Sequence, residues 1–148
     1  MTIYRIAFVA LLLGAPVLAD DASARARLIG AWQQQDDSGK GSSVWVLELK
    51  GTSLHITHSQ GDQKFSEFDC KPNGAECEGT ASGKKAQVTM YFNGPALVQI
   101  ETVGSDVTKQ QFSVIEQTDM MELQVIPIIG NAKAETLHLK RVQASASH

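Results

Sequence analysis

Basic charge, cysteine and long apolar runs are all scarce in this chain, and each scarcity removes a class of function. Thirteen Lys and Arg stand against 16 Asp and Glu, a net charge of −3. That balance offers no surplus cation to neutralise phosphates, which argues against a nucleic-acid partner. The pairs Lys84-Lys85 and Lys140-Arg141 are too short to form a membrane-binding stripe. The apolar run Ile6 to Leu18 has 13 residues and is interrupted by Gly14 and Pro16, whereas a spanning helix needs about 20. Catalytic signatures are missing too. The chain has no G-x-S-x-G elbow, no H-E-x-x-H, no phosphate-binding glycine loop and no G-x-G-x-x-G after a strand. No enzyme activity and no cofactor is expected.

The titratable residues that are present do not assemble a metal site on paper. His55 and His58 are three apart, which places them on opposite faces of a strand, so they are expected to be solvated rather than to share a metal. Glu67, Asp69 and Glu76 read as a charged rim. The two cysteines, Cys70 and Cys77, flank Pro72-Asn73-Gly74. Those three residues are strong turn formers and bring the flanking segments back together, which predicts a local disulfide. The spacing matches neither a C-x-x-C redox pair nor a zinc site.

The amino terminus predicts export. Arg5 precedes the apolar run, and Val17-Leu18-Ala19 suits a signal peptidase, so residues 1–19 are expected to be a signal peptide removed before Asp20. No Cys follows the run to carry a lipid anchor. Residues 20–148 are then one domain, periplasmic or extracellular and free of the membrane.

Within that domain the hydrophobic period is two and turn signals recur at short intervals. Strands are expected over Val44 to Lys50, Leu54 to Ser59, Lys64 to Cys70, Val107 to Ile115, Met120 to Ile126 and Glu135 to Val142. Ala86, Val88, Met90 and Phe92 share a face, and Ala96, Val98 and Ile100 continue the pattern after Asn93-Gly94-Pro95; Pro127 is expected to end its strand. The chain is thus all-β, an antiparallel meander of about eight strands, with Asp20 to Arg27 forming a short helical turn at one end. Closing the meander removes its edges and leaves room for side chains or one small ligand. An open sandwich is the alternative.

Leu28-Ile29-Gly30-Ala31-Trp32, after a short helix and before a meander, resembles the Gly-x-Trp first strand of lipocalin-like (calycin) barrels, a group that includes small secreted bacterial proteins. Thr118-Asp119 lies in the corner before the penultimate strand, where lipocalins often carry Thr-Asp, and Arg141 lies on the last strand, where they place an Arg against the Trp. The chain departs from full lipocalins in two ways. Only seven residues follow Arg141, too few for their outer helix, and Met120 stands where an aromatic is usual. The resemblance implies a closed barrel sealed by Gly30, Trp32 and Arg141.

It also implies a non-enzymatic binding role. Trp45, Leu47 and Leu49 from one strand and Met90 and Phe92 from another are candidate lining residues. Ile100, Phe112, Met121, Leu123 and Leu139 complete a uniformly apolar interior, which suits a small hydrophobic ligand or equally a dry, filled core. The second reading is a protein-binding barrel acting through its loops, similar in outline to the periplasmic inhibitor of secreted metalloproteases. That inhibitor shares a Leu-x-Gly-x-Trp pattern but has an early Cys on its second strand that this chain lacks.

Overall fold

The structure, a computed structural model, describes residues 21–35 and 43–143. The expected signal peptide and cleavage point lie outside the described residues. A six-residue helix, α1 (Asp21–Ala26), leads into β1 (Gly30–Gln34). Then follow β2 (Ser43–Lys50), β3 (Ser53–Gln60), β4 (Gln63–Cys70), β5 (Asn73–Ala81) and β6 (Lys84–Asn93). The last four are β7 (Ala96–Val103), β8 (Asp106–Val114), β9 (Met120–Ile129) and β10 (Glu135–Val142). Each strand pairs antiparallel with its successor, and β1 pairs with β10 to close the barrel. Among the described residues no strand is left as a free sheet edge.

Among the described residues ten strands replace the expected eight or so. The segment most clearly missed is β5, NGAECEGTA, which has no β-branched residue before Thr80 and is exposed over most of its length. Its own side chains carry almost no strand signal. Pairing with β4 and β6 makes it a strand, with the ladder shifting between Asn73 and Glu76. Pro127 does not end β9 either. It pairs with Thr108 beside a register shift at Val107/Thr108, and an irregular ladder is where a residue without an N–H can be accommodated.

Because the strands alternate in direction, the barrel has two distinct poles. The corners β2–β3, β4–β5, β6–β7 and β8–β9 share one pole with α1. The corners β3–β4, β5–β6, β7–β8 and β9–β10 surround the other, here called the mouth. Inward residues fill the α1 side: Leu47, Met90, Leu97, Phe112, Met121, Leu123 and Leu139 are all fully buried. Gly79 is needed on this inner wall because a Cβ there would strike the Phe68 ring and come within 2.5 Å of the Glu67 carbonyl.

Candidate functional site

The α1 pole is sealed by side chains from both ends of the barrel. Trp32 and Arg141 are cross-strand partners of β1 and β10, and the Arg141 guanidinium carbon lies 4.2 Å from the Trp32 ring centroid. Arg141 Nη1 donates to the Ile29 carbonyl at 2.9 Å and Nη2 to the Arg27 carbonyl at 2.6 Å. Its planar fork therefore stacks on an indole and ties down the segment before β1 at once, which a lysine cannot do. The Trp32 Nε1 donates to the Leu28 carbonyl at 2.9 Å, so the buried indole has no unpaired donor. Gly30 sits under this arrangement at φ +142°, and a Cβ there would come within 2.5 Å of Arg141 Nη1. The β8–β9 corner completes the seal: the Thr118 hydroxyl donates to the Ile115 carbonyl, and the Asp119 carbonyl accepts from Arg141 N. Arg25 covers Phe92 at the same pole, 4.7 Å from its centroid, while its Nε donates to the Gly94 carbonyl.

The mouth half has different chemistry. Trp45 and His58, paired across β2 and β3, stack with centroids 4.0 Å apart and planes 7° apart. Phe65 lies 5.2 Å from the imidazole, beside the register shift in the β3–β4 ladder. Burial pushes the His58 imidazole down to about 4, so it is neutral at physiological pH. Its Nε2 is buried without a hydrogen-bond partner among the described residues. On β7 and β8, Gln99, Glu101 and Gln110 also occupy inward positions, in phase with Leu97 and Phe112. Gln99 is 1% exposed. Burial raises the Glu101 carboxyl above the usual carboxylate range, partly offset by the hydrogen bond from Gln99. A cleft of about 300 Å³ opens at this pole, lined by Ala81, Ser82, Lys84, Glu101, Val103, Asp106 and Thr108. Another, about 370 Å³, lies outside the barrel between α1 and the β8–β9 corner, away from these buried polar groups.

These placements revise the sequence-based expectations. His58 is not solvated; it is half-buried inside the barrel, while His55 faces outward within 3.5 Å of Glu67 and 3.7 Å of Asp69. The interior is not uniformly apolar, because Gln99, Glu101, Gln110 and His58 all face it. Leu49, at the end of β2, is 60% exposed and lines nothing. Ile100 lies on the outer face, since the pairs Leu97↔Phe92 and Leu97↔Phe112 set the opposite phase. Of the remaining candidates, Trp45 lies toward the mouth, Phe92 lies under Arg25, and Leu47, Met90, Phe112, Met121, Leu123 and Leu139 form the packed core. The Cys70–Cys77 disulfide is formed, with Cα atoms 5.8 Å apart. Among the described residues no group of three or more His, Cys, Asp or Glu is placed to hold a metal ion. No helix among them is long and apolar enough to cross a membrane.

No family model matches the sequence, and no curated protein does. Solved structures do match. The fatty acid transporter REP1-NXSQ is 18% identical with a TM-score of 0.65, covering 81% of this chain and 99% of its own. A fatty acid binding protein of Schistosoma mansoni, in complex with arachidonic acid, is 14% identical with a TM-score of 0.65 over the same shares. A secretory abundant heat soluble protein of Ramazzottius varieornatus is 16% identical with a TM-score of 0.65, covering 78% of this chain and 96% of its own. The fold of this chain is therefore a calycin-type barrel.

Proposed function

We propose that this chain is an exported, non-enzymatic carrier of a small hydrophobic molecule, which enters between the mouth corners and lies against the Trp45–His58–Phe65 wall. The observation that carries the reading is the asymmetry of the closed barrel. One pole is sealed by Arg141, Trp32 and α1, whereas the other combines stacked aromatics, a cleft of about 300 Å³ and a buried nitrogen without a partner. That volume is at the lower end of what small-molecule sites use. Two of the solved structures with this fold are named for carrying or binding fatty acids, which supports a hydrophobic cargo. The disulfide fits an oxidising compartment.

Two measurements test this. Native mass spectrometry of protein recovered from its own secreted or periplasmic fraction is expected to show a retained mass of a few hundred daltons and an amino terminus at Asp20. A mature fraction beginning at Met1 overturns the export reading. Protein that neither retains a molecule nor changes its tryptophan emission with any apolar probe overturns the carrier reading. A protein partner at the mouth is the second reading, favoured by the exposed side chains of Ile128 and Ile129 beside the β9–β10 corner. A stoichiometric protein complex in the same spectra would support it.

A further inference from the structure

The inward rows of β7 and β8 set two amides and a carboxyl side by side and leave one of their acceptors unserved. Gln99 and Gln110 are direct cross-strand partners, and Glu101 follows Gln99 on the same face. The Gln99 Nε2 donates to Glu101 Oε2 at 3.4 Å and to Gln110 Oε1 at 3.5 Å. Both bonds are at the long limit of useful geometry. The Gln99 Oε1 is buried and has no partner among the described residues. One amide group thus serves two acceptors weakly while a third goes unserved. Buried polar atoms are ordinarily paired, so a side chain this enclosed, with an idle acceptor two residues inward of the cleft-lining Glu101, points to a donor supplied from outside the chain.

The charges around it favour a cation. Among the described inward positions, the cationic side chains are Arg141 and Lys84, His58 being neutral. Arg141 is at the far pole and committed to Trp32 and two carbonyls. Lys84 is exposed at the rim, where it shares the mouth cleft with Glu101 and Asp106. Two carboxyls therefore face one ammonium at the entrance, and a carboxylate brought to Gln99 would meet like charge at reduced dielectric. An ammonium has three N–H donors and no acceptor, which suits this acceptor-rich group and supplies the countercharge that Glu101 lacks. Val103, which lines the cleft two residues beyond Glu101, and Val125 beside Gln110 offer apolar surface for the rest of the molecule.

We infer that the cargo is an apolar molecule with a primary amine at one end, seated against Gln99, Glu101 and Gln110, and not a carboxylic acid. The inference rests on the hydrophobic-ligand reading above. Calorimetric titration of the full mature chain at pH 7 with dodecylamine, 1-dodecanol and dodecanoic acid tests it. The amine is expected to bind about tenfold or more tightly than the acid, with the alcohol between, as charge-assisted bonds are roughly twice as strong as neutral ones. Glu101→Gln keeps the shape and is expected to abolish the preference for amine; Gln99→Met is expected to weaken the amine without strengthening the acid. Equal affinities, the acid binding tightest, or an amine preference that survives Glu101→Gln each overturn the inference while leaving the hydrophobic reading intact. If none of the three binds, both fall together.

Discussion

Replacing Arg141 with Ala removes a side chain that joins the last strand, the first strand and the segment before it. Stacking of a partly desolvated guanidinium on an indole contributes about 1–2 kcal/mol, and Arg141 is one-third exposed, its side-chain accessibility being 33%. The bonds to the Ile29 and Arg27 carbonyls are hydrogen bonds from a charged donor, about 1.5–3 kcal/mol each. Water admitted by the truncation recovers part of that, so a net loss of about 3–5 kcal/mol is expected. A domain of this size has about 5–15 kcal/mol in total, so the variant should fold with a much lower urea midpoint. Lys140→Ala, exposed on the same strand, is expected to stay within about 0.5 kcal/mol of the parent. The chain has two tryptophans, so in a Trp45→Phe background emission reports Trp32 alone. The fully buried indole should shift to the red as water replaces the guanidinium. A loss below about 1 kcal/mol with unchanged Trp32 emission refutes the idea that this contact holds the seam.

Three further outcomes follow from the same geometry. Gly30→Ala should destabilise the parent, because it combines a φ of +142° with a clash on Arg141. The cost should shrink in the Arg141→Ala background, where the clash is gone; additive costs in a double-mutant cycle would contradict the contact. His58 has a folded pKa of about 4, below its unfolded value of 6.5. Its contribution is therefore complete above pH 6.5 and lost as pH falls toward 4, by about 1–2 kcal/mol after allowing for solvent screening. The raised Glu101 titrates with the opposite sign, so urea midpoints at pH 7 and pH 4.5 are best compared between His58→Phe and its parent in a Glu101→Gln background. Reducing the Cys70–Cys77 disulfide should cost about 2–3 kcal/mol for a loop this short. A peptide map in which both thiols alkylate without prior reduction rules the bond out.

The parts of the fold legible in the sequence were those whose signal is local. Alternation in VWVLELK and the glycine corners between strands mark β2 and its neighbours without reference to anything distant. β5 was opaque because its residues favour no strand, and only its two flanking partners make it one. The phase of β7 is ambiguous in the sequence for a related reason. Ala96-Leu97-Val98 is apolar on both faces, Val98 being fully buried on the outer one. The alternation Ala96, Val98, Ile100 thus competed with Leu97, Gln99, Glu101, and only the cross-strand pairs with Phe92 and Phe112 decide between them. That single choice hid the candidate polar site, since Gln99 and Glu101 read as solvent-facing in one phase and as chamber residues in the other. The polarity of His58 points to solvent, whereas its alternation with Leu54 and Ile56 places it on the inner face.

The pairing of Ala31 with Val142 brings the first and last strands of the barrel side by side at the sealed pole. Whatever is attached before α1 or after β10 therefore hangs from the end opposite the mouth, and a fusion partner, affinity tag or surface linker at either end leaves the chamber entrance clear. The same adjacency makes the chain a candidate for circular permutation: a short peptide could join the two ends, and new termini could open at Gly61-Asp62 on the mouth rim. Such a permutant would keep every strand pair but reverse the geometry of attachment, so that a linker guards the entrance instead of trailing from the base. Were the barrel to carry a ligand as proposed, the two forms immobilised side by side would turn a difference in access to the mouth into a difference in capture rate.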